Sequence, residues 1–459
     1  VLFQKGRALA QLGNYPEAIL VFETAQKIEP KRADILYQKG LSHASLVQHD
    51  EAVVSFDRAL EIDPGYTDAL YQKGLSLAEL GRFTESIDAL SRTLETRPKI
   101  ANAWLIKGFC LAAEERNQEA ILSYNNALEI ESNNAHSWFY KGRAQLNLNA
   151  HSDAAASFDQ ALANQPAFGE AFYYRGIALF SLGNFSDAVA AFEQANNLIP
   201  DFEPAYLQKG RSLFVLARYQ EAAEAFGRVS AADPHDVPAL YGQARAYDKQ
   251  GLYDDAILTY DRINRVDPAC ERAFLYKGTA QLTLHREEEA VESFNRTLEI
   301  NPVNSEALRG KGLALITLKN YETAIETFDA FLAINPGTID ILYEKGLALT
   351  RIKQAESALD VFNQCISLGL DTSRVHAEKG FVLYELGNYA EAILSFDQAL
   401  SKDSQDAPSF LAKGMALAQI GQHDNAIAAF DAALLIDPEN GQAHRGRGVS
   451  LVKLRRYED

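Results

Sequence analysis

Glycine recurs every 34 residues along almost the whole chain. The series keeps its register through Ala244, the one interruption, and consists of Gly6, Gly40, Gly74, Gly108, Gly142, Gly176, Gly210, Gly278, Gly312, Gly346, Gly380, Gly414 and Gly448. A fixed period of this size is typical of stacked helical hairpins, in which each unit packs on its neighbours. The repeat therefore predicts an all-α solenoid, with function on an extended surface rather than in a compact enzyme pocket.

The repeat also predicts where the units begin. With the glycine as the eighth position, units start at residues 33, 67, 101, 135, 169, 203, 237, 271, 305, 339, 373, 407 and 441, and the first and last units are partial. In the unit that starts at Ala33, two amphipathic patterns predict helix A over about 34–46 and helix B over about 50–62. We predict one continuous right-handed superhelix of about 13 units over residues 1–459. Because both ends fall inside a unit, we expect a fragment of a longer protein.

Other positions repeat with the same period. Position 20 is Ala in twelve of thirteen units, and position 24 is Phe or Tyr in all but one, where Leu90 replaces it. Ten of the fourteen prolines close helix B and the other four fall in the first turn of a helix, so none interrupts a helix. Small residues where helices meet and aromatic residues between them predict a core that runs through every unit.

This pattern of Leu-x-x-x-Gly, an aromatic residue before helix B, and then Ala, Phe, Ala and Pro resembles the tetratricopeptide repeat. Tyr15, Phe83 and Tyr389 are examples of the aromatic residue. The resemblance covers the entire chain and is to multi-repeat prokaryotic and archaeal proteins of this family. It implies a superhelix whose concave face, lined mainly by A helices, binds peptides or other proteins.

In that family, positions 2, 5, 9, 12 and 13 face the concave groove. Between residues 139 and 245 these positions carry aromatic residues interleaved with arginines, a composition typical of interaction hot spots. The predicted peptide-binding or protein-binding residues are Phe139, Arg143, Tyr173, Ile177, Phe180, Leu207, Arg211, Phe214, Tyr241 and Arg245. Such a stripe would favour an extended partner with apolar and carboxylate groups. The alternative is that Phe180 and Phe214 pack between neighbouring A helices.

Position 7 departs from the family pattern, because it is Lys in eleven units where Leu is usual. The residue after the helix-B aromatic is acidic in eight of thirteen units. We therefore hypothesise a ladder of ion pairs in which Asp57 meets Lys73 and Asp397 meets Lys413, although Ser91 in front of Lys107 does not fit it. Two alternatives remain open: a solvated row of lysines and a lysine rail that binds anions.

Two segments depart from the repeat consensus. Polar residues replace Leu or Ile at position 28 in three successive units, as Asn196, Ser230 and Asn264, and these predict reduced regularity around 226–264. In 351–373 the glycine and aromatic residue between the helices are lost, and Leu370 stands in place of proline. We expect a second irregularity there.

Composition excludes several functions. The net charge of -18 disfavours binding to phosphate backbones. Three cysteines far apart in sequence favour a reducing, cytoplasmic compartment, and no apolar run is long enough for a membrane helix. The histidines lack metal-ligand spacing; His49, His151 and His423 occupy the tyrosine-like position before helix B and are interpreted as packing residues. We predict no metal, no cofactor and no catalytic residue.

The favoured function is a non-catalytic scaffold for protein–protein interaction. The alternative is a regulatory or substrate-recruiting arm of an enzyme whose catalytic domain lies outside this fragment. RNA binding by a related helical repeat would require a 35-residue period and a basic groove, and the sequence has neither. The end faces of a truncated array normally meet another unit, so we also expect that end-to-end self-association is possible.

Overall fold

The computed structural model describes residues 1–458, which fold into 27 α-helices without a β-strand. The fold is thus an all-α solenoid of about 13 helical hairpins, as predicted. The chain forms two compact units, Val1–Asp233 and Pro234–Asp459. A single continuous body over the whole chain stays a prediction.

The first unit contains fourteen helices that alternate between A and B types. They are α1 (Leu2–Gln11), α2 (Tyr15–Ile28), α3 (Ala33–Ser45), α4 (His49–Ile62), α5 (Thr67–Glu79), α6 (Phe83–Thr96), α7 (Ala101–Ala113), α8 (Asn117–Ile130), α9 (Ala135–Asn147), α10 (His151–Asn164), α11 (Gly169–Ser181), α12 (Phe185–Leu198), α13 (Glu203–Val215) and α14 (Tyr219–Ala232). Each helix packs on the next, and successive A helices also contact one another.

The second unit repeats this arrangement with thirteen helices. They are α15 (Val237–Gln250), α16 (Tyr253–Val266), α17 (Glu271–Thr283), α18 (Glu287–Ile300), α19 (Ser305–Thr317), α20 (Tyr321–Ile334), α21 (Ile339–Arg351), α22 (Ala355–Ser367), α23 (Ser373–Glu385), α24 (Tyr389–Lys402), α25 (Ala407–Gln419), α26 (His423–Ile436) and α27 (Gly441–Lys453). From α3 onward, every A helix begins at the residue where the sequence predicts a unit to start.

The recurrent glycine leaves space for the aromatic residue of helix B. A Cβ built on Gly40 would lie 2.5 Å from Phe56 Cε1, and one on Gly346 would lie 2.7 Å from Phe362 Cε1. Both rings are fully buried and therefore cannot move aside easily. The pairing of glycine with an aromatic ring sets the distance between the two helices of a hairpin.

The turn from helix A to helix B contains one residue in the left-handed conformation. Glycine supplies it in several hairpins, for example at Gly81, but Val47 adopts it with φ of 60°. A β-branched side chain is strained in this conformation. Because Val47 is 76 % exposed, packing of its side chain does little to offset this strain.

The two segments with an irregular sequence also contain the two helices of unusual length. Helix α15 has 14 residues where the other complete A helices have 13, and left-handed Gly251 follows its last residue, Gln250. Helix α22 has 13 residues where the other B helices have 14, and left-handed Gly369 follows it. Both segments keep their full number of helices, and each length change is a single residue at the C-terminal end of the helix.

Candidate functional site

The ten predicted binding residues all lie on A helices, and we call those in the first unit the candidate groove. In the first unit, α9, α11 and α13 carry eight of them, and in the second unit α15 carries Tyr241 and Arg245. Since successive A helices of the first unit contact one another, these side chains form one face of that unit. The structure therefore brings the eight residues of the first unit together on one side of that unit.

Phe139 lies beneath this surface rather than on it. Its side chain is 3 % exposed, and its ring centre lies 4.7 Å from that of Phe168 and 5.7 Å from that of Tyr174. Sequence reasoning placed Phe139 at a groove position but could not show that Phe168 of the same repeat and Tyr174 of the next would cover it. Phe139 supports the groove and is not available for direct contact with a ligand.

Arg143 is exposed and lies over the aromatic residues that cover Phe139. Its guanidinium carbon is 5.0 Å from the centre of the Tyr174 ring and 5.8 Å from that of Phe139. A cation–π contact of this kind holds the arginine side chain against the surface while its outer N–H groups stay accessible. Arg143 is thus prearranged to contact an anionic group.

The next two A helices present half-buried aromatic residues beside an exposed arginine. Phe180 packs edge-on against Phe185, with 5.2 Å between ring centres, and Phe214 packs in the same way on Tyr219 at 5.3 Å. Each ring therefore contacts the first residue of its own helix B, and packing between A helices stays the alternative for Phe180 and Phe214. Arg211 is exposed on the same face.

Tyr173, Ile177 and Leu207 complete the groove of the first unit, and all three are half-buried. The Tyr173 ring lies 5.1 Å from the rings of Tyr174 and Phe202. Burial raises the pKa of the Tyr173 hydroxyl, so that it stays protonated and can donate a hydrogen bond at neutral pH. The surface combines apolar area with hydroxyl and guanidinium donors.

In the second unit, Tyr241 and Arg245 form a polar cluster with an acidic residue that the sequence did not single out. Arg245 Nη1 donates to Tyr241 Oη at 3.4 Å, and its guanidinium carbon lies 4.4 Å from the centre of the Tyr276 ring. On the same helix, Asp248 Oδ2 accepts a hydrogen bond of 2.5 Å from the buried Tyr260 hydroxyl. Burial raises the pKa of the Asp248 carboxyl.

The hypothesis of an ion-pair ladder is confirmed. All eight acidic residues that follow a helix-B aromatic pair with the basic residue sixteen positions later; the pairs are Glu23–Lys39, Asp57–Lys73, Asp159–Arg175, Glu193–Lys209, Asp261–Lys277, Asp329–Lys345, Asp397–Lys413 and Asp431–Arg447. The nitrogen–oxygen distance is 2.6 Å for Asp57–Lys73 and 2.5 Å for Asp397–Lys413. The Lys39 side chain is only 15 % exposed, so a freely solvated lysine row is wrong.

The ladder lies on the opposite side of each A helix from the groove. At 3.6 residues per turn, position 7 points about 160° away from positions 5 and 9. Four lysines lack the acidic partner. Two of them lie over tryptophan rings: Lys107 Nζ is 5.3 Å from the Trp104 ring centre and Lys141 Nζ is 4.8 Å from that of Trp138. Sequence reasoning missed these contacts, although Trp at position 4 directly precedes Lys at position 7 by one helical turn.

The histidines and the candidate metal ligands were also located in the described structure. Within residues 1–458, no three His, Cys, Asp or Glu side chains lie close enough together to hold a metal ion. His49, His151 and His423 begin B helices, and the Nδ1 atom of each is buried. Every described helix is too short or too polar to traverse a bilayer.

Comparisons with known proteins identify the repeat family. Profiles of the tetratricopeptide repeat match most of the chain, over residues 3–67, 71–136, 138–198, 213–277, 275–338, 373–406 and 411–459. No curated protein matches the sequence.

Solved structures provide more distant similarities. MamA is 21 % identical with a TM-score of 0.34, over 35 % of this chain and 93 % of its own. Naa15/Naa10 bound to HypK-THB is 16 % identical with a TM-score of 0.37, over 100 % of this chain and 80 % of its own. PilF of Pseudomonas aeruginosa is 17 % identical with a TM-score of 0.41, over 46 % of this chain and 97 % of its own. Since the repeat profiles match well over half of the sequence, the chain belongs to the tetratricopeptide repeat family.

Proposed function

We propose that this chain is a non-catalytic scaffold that binds an extended segment of a protein partner along the candidate groove. Membership of the tetratricopeptide repeat family supports a role in protein interaction. The recurrent residues also support it, because glycine, alanine and the helix-B aromatics are all used in packing. The three cysteines are free thiols, which agrees with the cytoplasmic location that we propose.

The observation that carries this proposal is the arrangement of exposed arginines beside half-buried aromatic rings in the first unit. Arg143 and Arg211 are exposed, and Tyr173, Phe180 and Phe214 offer apolar area between them. Aromatic residues and arginine are the residue types that contribute most to binding at protein interfaces. The partner that fits such a surface has apolar side chains alternating with carboxylates.

The decisive experiment is affinity capture of partners from a lysate, followed by a binding measurement with the captured protein. We expect that changing Tyr173 and Arg211 to Ala weakens binding at least tenfold. Changing Tyr241 to Ala tests separately whether the partner also contacts the second unit, in which case binding is weakened. Arg58→Ala is the matched control, because Arg58 is exposed on helix α4, far from these positions in the repeat. Unchanged binding by the Tyr173→Ala/Arg211→Ala variant would place the partner elsewhere.

End-to-end self-association stays part of the proposal. Val449 and Val452 on α27 are 53 % and 57 % exposed, and apolar area of this kind is available to a second copy. Light scattering over a range of protein concentrations tests the idea. We expect the average mass to rise with concentration and the rise to be lost in a Val449→Ser/Val452→Ser variant. A constant monomer mass would contradict it.

A further inference from the structure

Four lysines of the ladder lack an acidic residue sixteen positions earlier, and two of these lysines, Lys107 and Lys141, lie in neighbouring repeats. Ser91 and Asn125 occupy the position that holds an acidic residue in the eight closed pairs, and the lysines in register with them are Lys107 and Lys141. The Ser91 hydroxyl is turned into its own helix, where it donates to the Ile87 carbonyl at 2.6 Å. Among residues 1–458, neither lysine has a carboxylate within ion-pair distance. Two adjacent repeats therefore present ammonium groups without the carboxylate that their counterparts contact.

Both lysines are held in place by tryptophan. Each ammonium lies over an indole, and each indole is fixed in turn, because Trp104 Nε1 donates to the Pro98 carbonyl at 2.8 Å and Trp138 Nε1 donates to the Ser132 carbonyl at 2.9 Å. These hydrogen bonds tie the rings to the loops that precede their helices. Each Trp–Lys pair is thus anchored to the loop before its helix, and the two pairs recur one repeat apart on the same side of α7 and α9.

The surroundings favour an incoming negative charge. Partial burial lowers the pKa of both lysine ammonium groups, because it removes water that would solvate the charge. The carboxylate of Glu119 is already engaged by Arg116 through two hydrogen bonds of 2.7 Å, while Glu95 and Asp153 act only at longer range. Residues 97–150 contain six basic and five acidic side chains, although the whole chain has a net charge of -18.

We propose that Trp104, Lys107, Trp138 and Lys141 form a docking site for an acidic peptide segment of a partner protein. Two carboxylates of that segment would take the places that Asp57 and Asp159 occupy in the closed pairs, and its backbone and side-chain methylenes would lie along the indoles. The site goes beyond the proposed groove function, because position 7 lies on the opposite side of the A helices. Carboxylates are favoured over phosphates, since each closed pair joins one basic side chain to one carboxylate, as in Lys73–Asp57 and Arg175–Asp159.

Intrinsic fluorescence gives a direct test, because Trp104 and Trp138 are the only two tryptophans of the chain. The probe is a capped hexaglutamate peptide, titrated into the full chain at low salt while tryptophan emission is recorded. We expect a saturable change in emission. The Lys107→Gln/Lys141→Gln variant should weaken binding at least tenfold.

A second variant closes the open positions from within the protein. In Ser91→Asp/Asn125→Asp, each lysine gains an intramolecular carboxylate, so we expect its emission to shift in the direction that the peptide produces and its affinity for the peptide to fall at least tenfold. Asn295→Asp/Asn363→Asp is the matched control, since it adds the same charge at ladder positions in front of Lys311 and Lys379, and we expect it to bind as the wild type does.

Three outcomes would overturn the proposal. The first is unchanged affinity in Ser91→Asp/Asn125→Asp. The second is an equal emission change with capped hexaglutamine, which would assign binding to the indoles alone. The third is tighter binding of hexametaphosphate than of hexaglutamate, which would assign the site to phosphates. Retained hexaglutamate binding by Tyr173→Ala/Arg211→Ala separates this site from the groove.

Discussion

The Lys73 ammonium lies 2.6 Å from Asp57 Oδ1 and joins α5 of one repeat to α4 of the repeat before it. The Asp57 side chain is 45 % exposed, so water screens the attraction. Ion pairs of this exposure contribute little to stability one at a time. Together they favour one register, because each pair can form only when two neighbouring repeats stack in that register.

Changing Asp57 to Asn should therefore have a small effect. We expect the free energy of unfolding to fall by less than about 1 kcal/mol. In about 1 M salt the difference should disappear, because the Debye length shrinks to roughly 3 Å. Urea denaturation at low and high salt measures both quantities. Asp88→Asn, at an exposed position on α6, is the control for the loss of charge itself, and a loss above about 2 kcal/mol at Asp57 would contradict this account.

Adding one methyl group at Gly40 should cost more than removing the ion pair. The new Cβ would lie 2.5 Å from the buried Phe56 ring, so Gly40→Ala is expected to destabilise the fold by about 1–3 kcal/mol. Gly448 offers the matched control, since a Cβ there would meet no atom within 4 Å. Gly448→Ala should be neutral or stabilising by up to about 1 kcal/mol, because alanine favours a helix. Equal effects of the two substitutions on the thermal midpoint would disprove the packing role of Gly40.

A glycine at position 47 should have the opposite effect. Val47 adopts the left-handed conformation at φ of 60°, which costs an L-residue roughly 1–2 kcal/mol. Glycine avoids this cost but loses more backbone entropy on folding, so we expect Val47→Gly to stabilise the protein by about 0.5–1 kcal/mol. Val54→Gly is the comparison, because Val54 is exposed and lies within helix α4. There glycine should destabilise the protein, since it disfavours a helix interior. Thermal unfolding of the two variants decides the matter, and a lower midpoint for Val47→Gly would be inconsistent with strain at this turn.

The buried carboxyl of Asp248 should make stability depend on pH. Burial raises its pKa in the folded protein, although the Tyr260 hydroxyl, Arg245 and Lys249 oppose the shift. A raised pKa means that the folded state retains a proton that the unfolded chain releases. The contribution to stability is therefore fully present below the unfolded pKa of about 3.9 and is lost as the pH rises through the folded pKa.

Asp248→Asn removes this titration while keeping an oxygen that can accept from Tyr260. We compare the thermal midpoint of the variant with that of the wild type at each pH. We expect this difference, variant minus wild type, to be larger at pH 7 than at pH 4. Asp360→Asn, at an exposed position of α22 in the same unit, is the control and should show no such change with pH. If this difference falls between pH 4 and pH 7, the folded pKa of Asp248 is not raised and the prediction is wrong.

Sequence reasoning predicted the features that depend on the repeat register. The starts of the A helices, the close approach at Gly40 and the pairing of Asp57 with Lys73 each follow from a residue type that recurs at a fixed position. Features that depend on contacts between particular side chains were missed. The burial of Phe139 under Phe168 and Tyr174 is one example, because a position that faces the groove in most repeats is covered here by two large neighbours.

The contacts of the two tryptophans could have been anticipated in part. Trp occurs at position 4 only in the units where Ser91 or Asn125 replaces the acidic residue of the preceding repeat, so the two changes accompany each other in the sequence. What no pattern could supply was the hydrogen bond from each indole to a loop carbonyl, such as that from Trp104 to Pro98. Such a bond depends on the path of the loop, and loops carry little periodic signal.

The separation between ladder partners has a consequence for how such arrays change in length. Each pair spans sixteen residues and each repeat thirty-four, so excision of residues 67–100 would leave Asp57 sixteen positions ahead of Lys107. The shortened protein would neutralise an ammonium that is uncompensated in the present chain. Unequal recombination within a tandem gene can thus erase or create an anion-binding position in a single event, without a point mutation at the residues concerned.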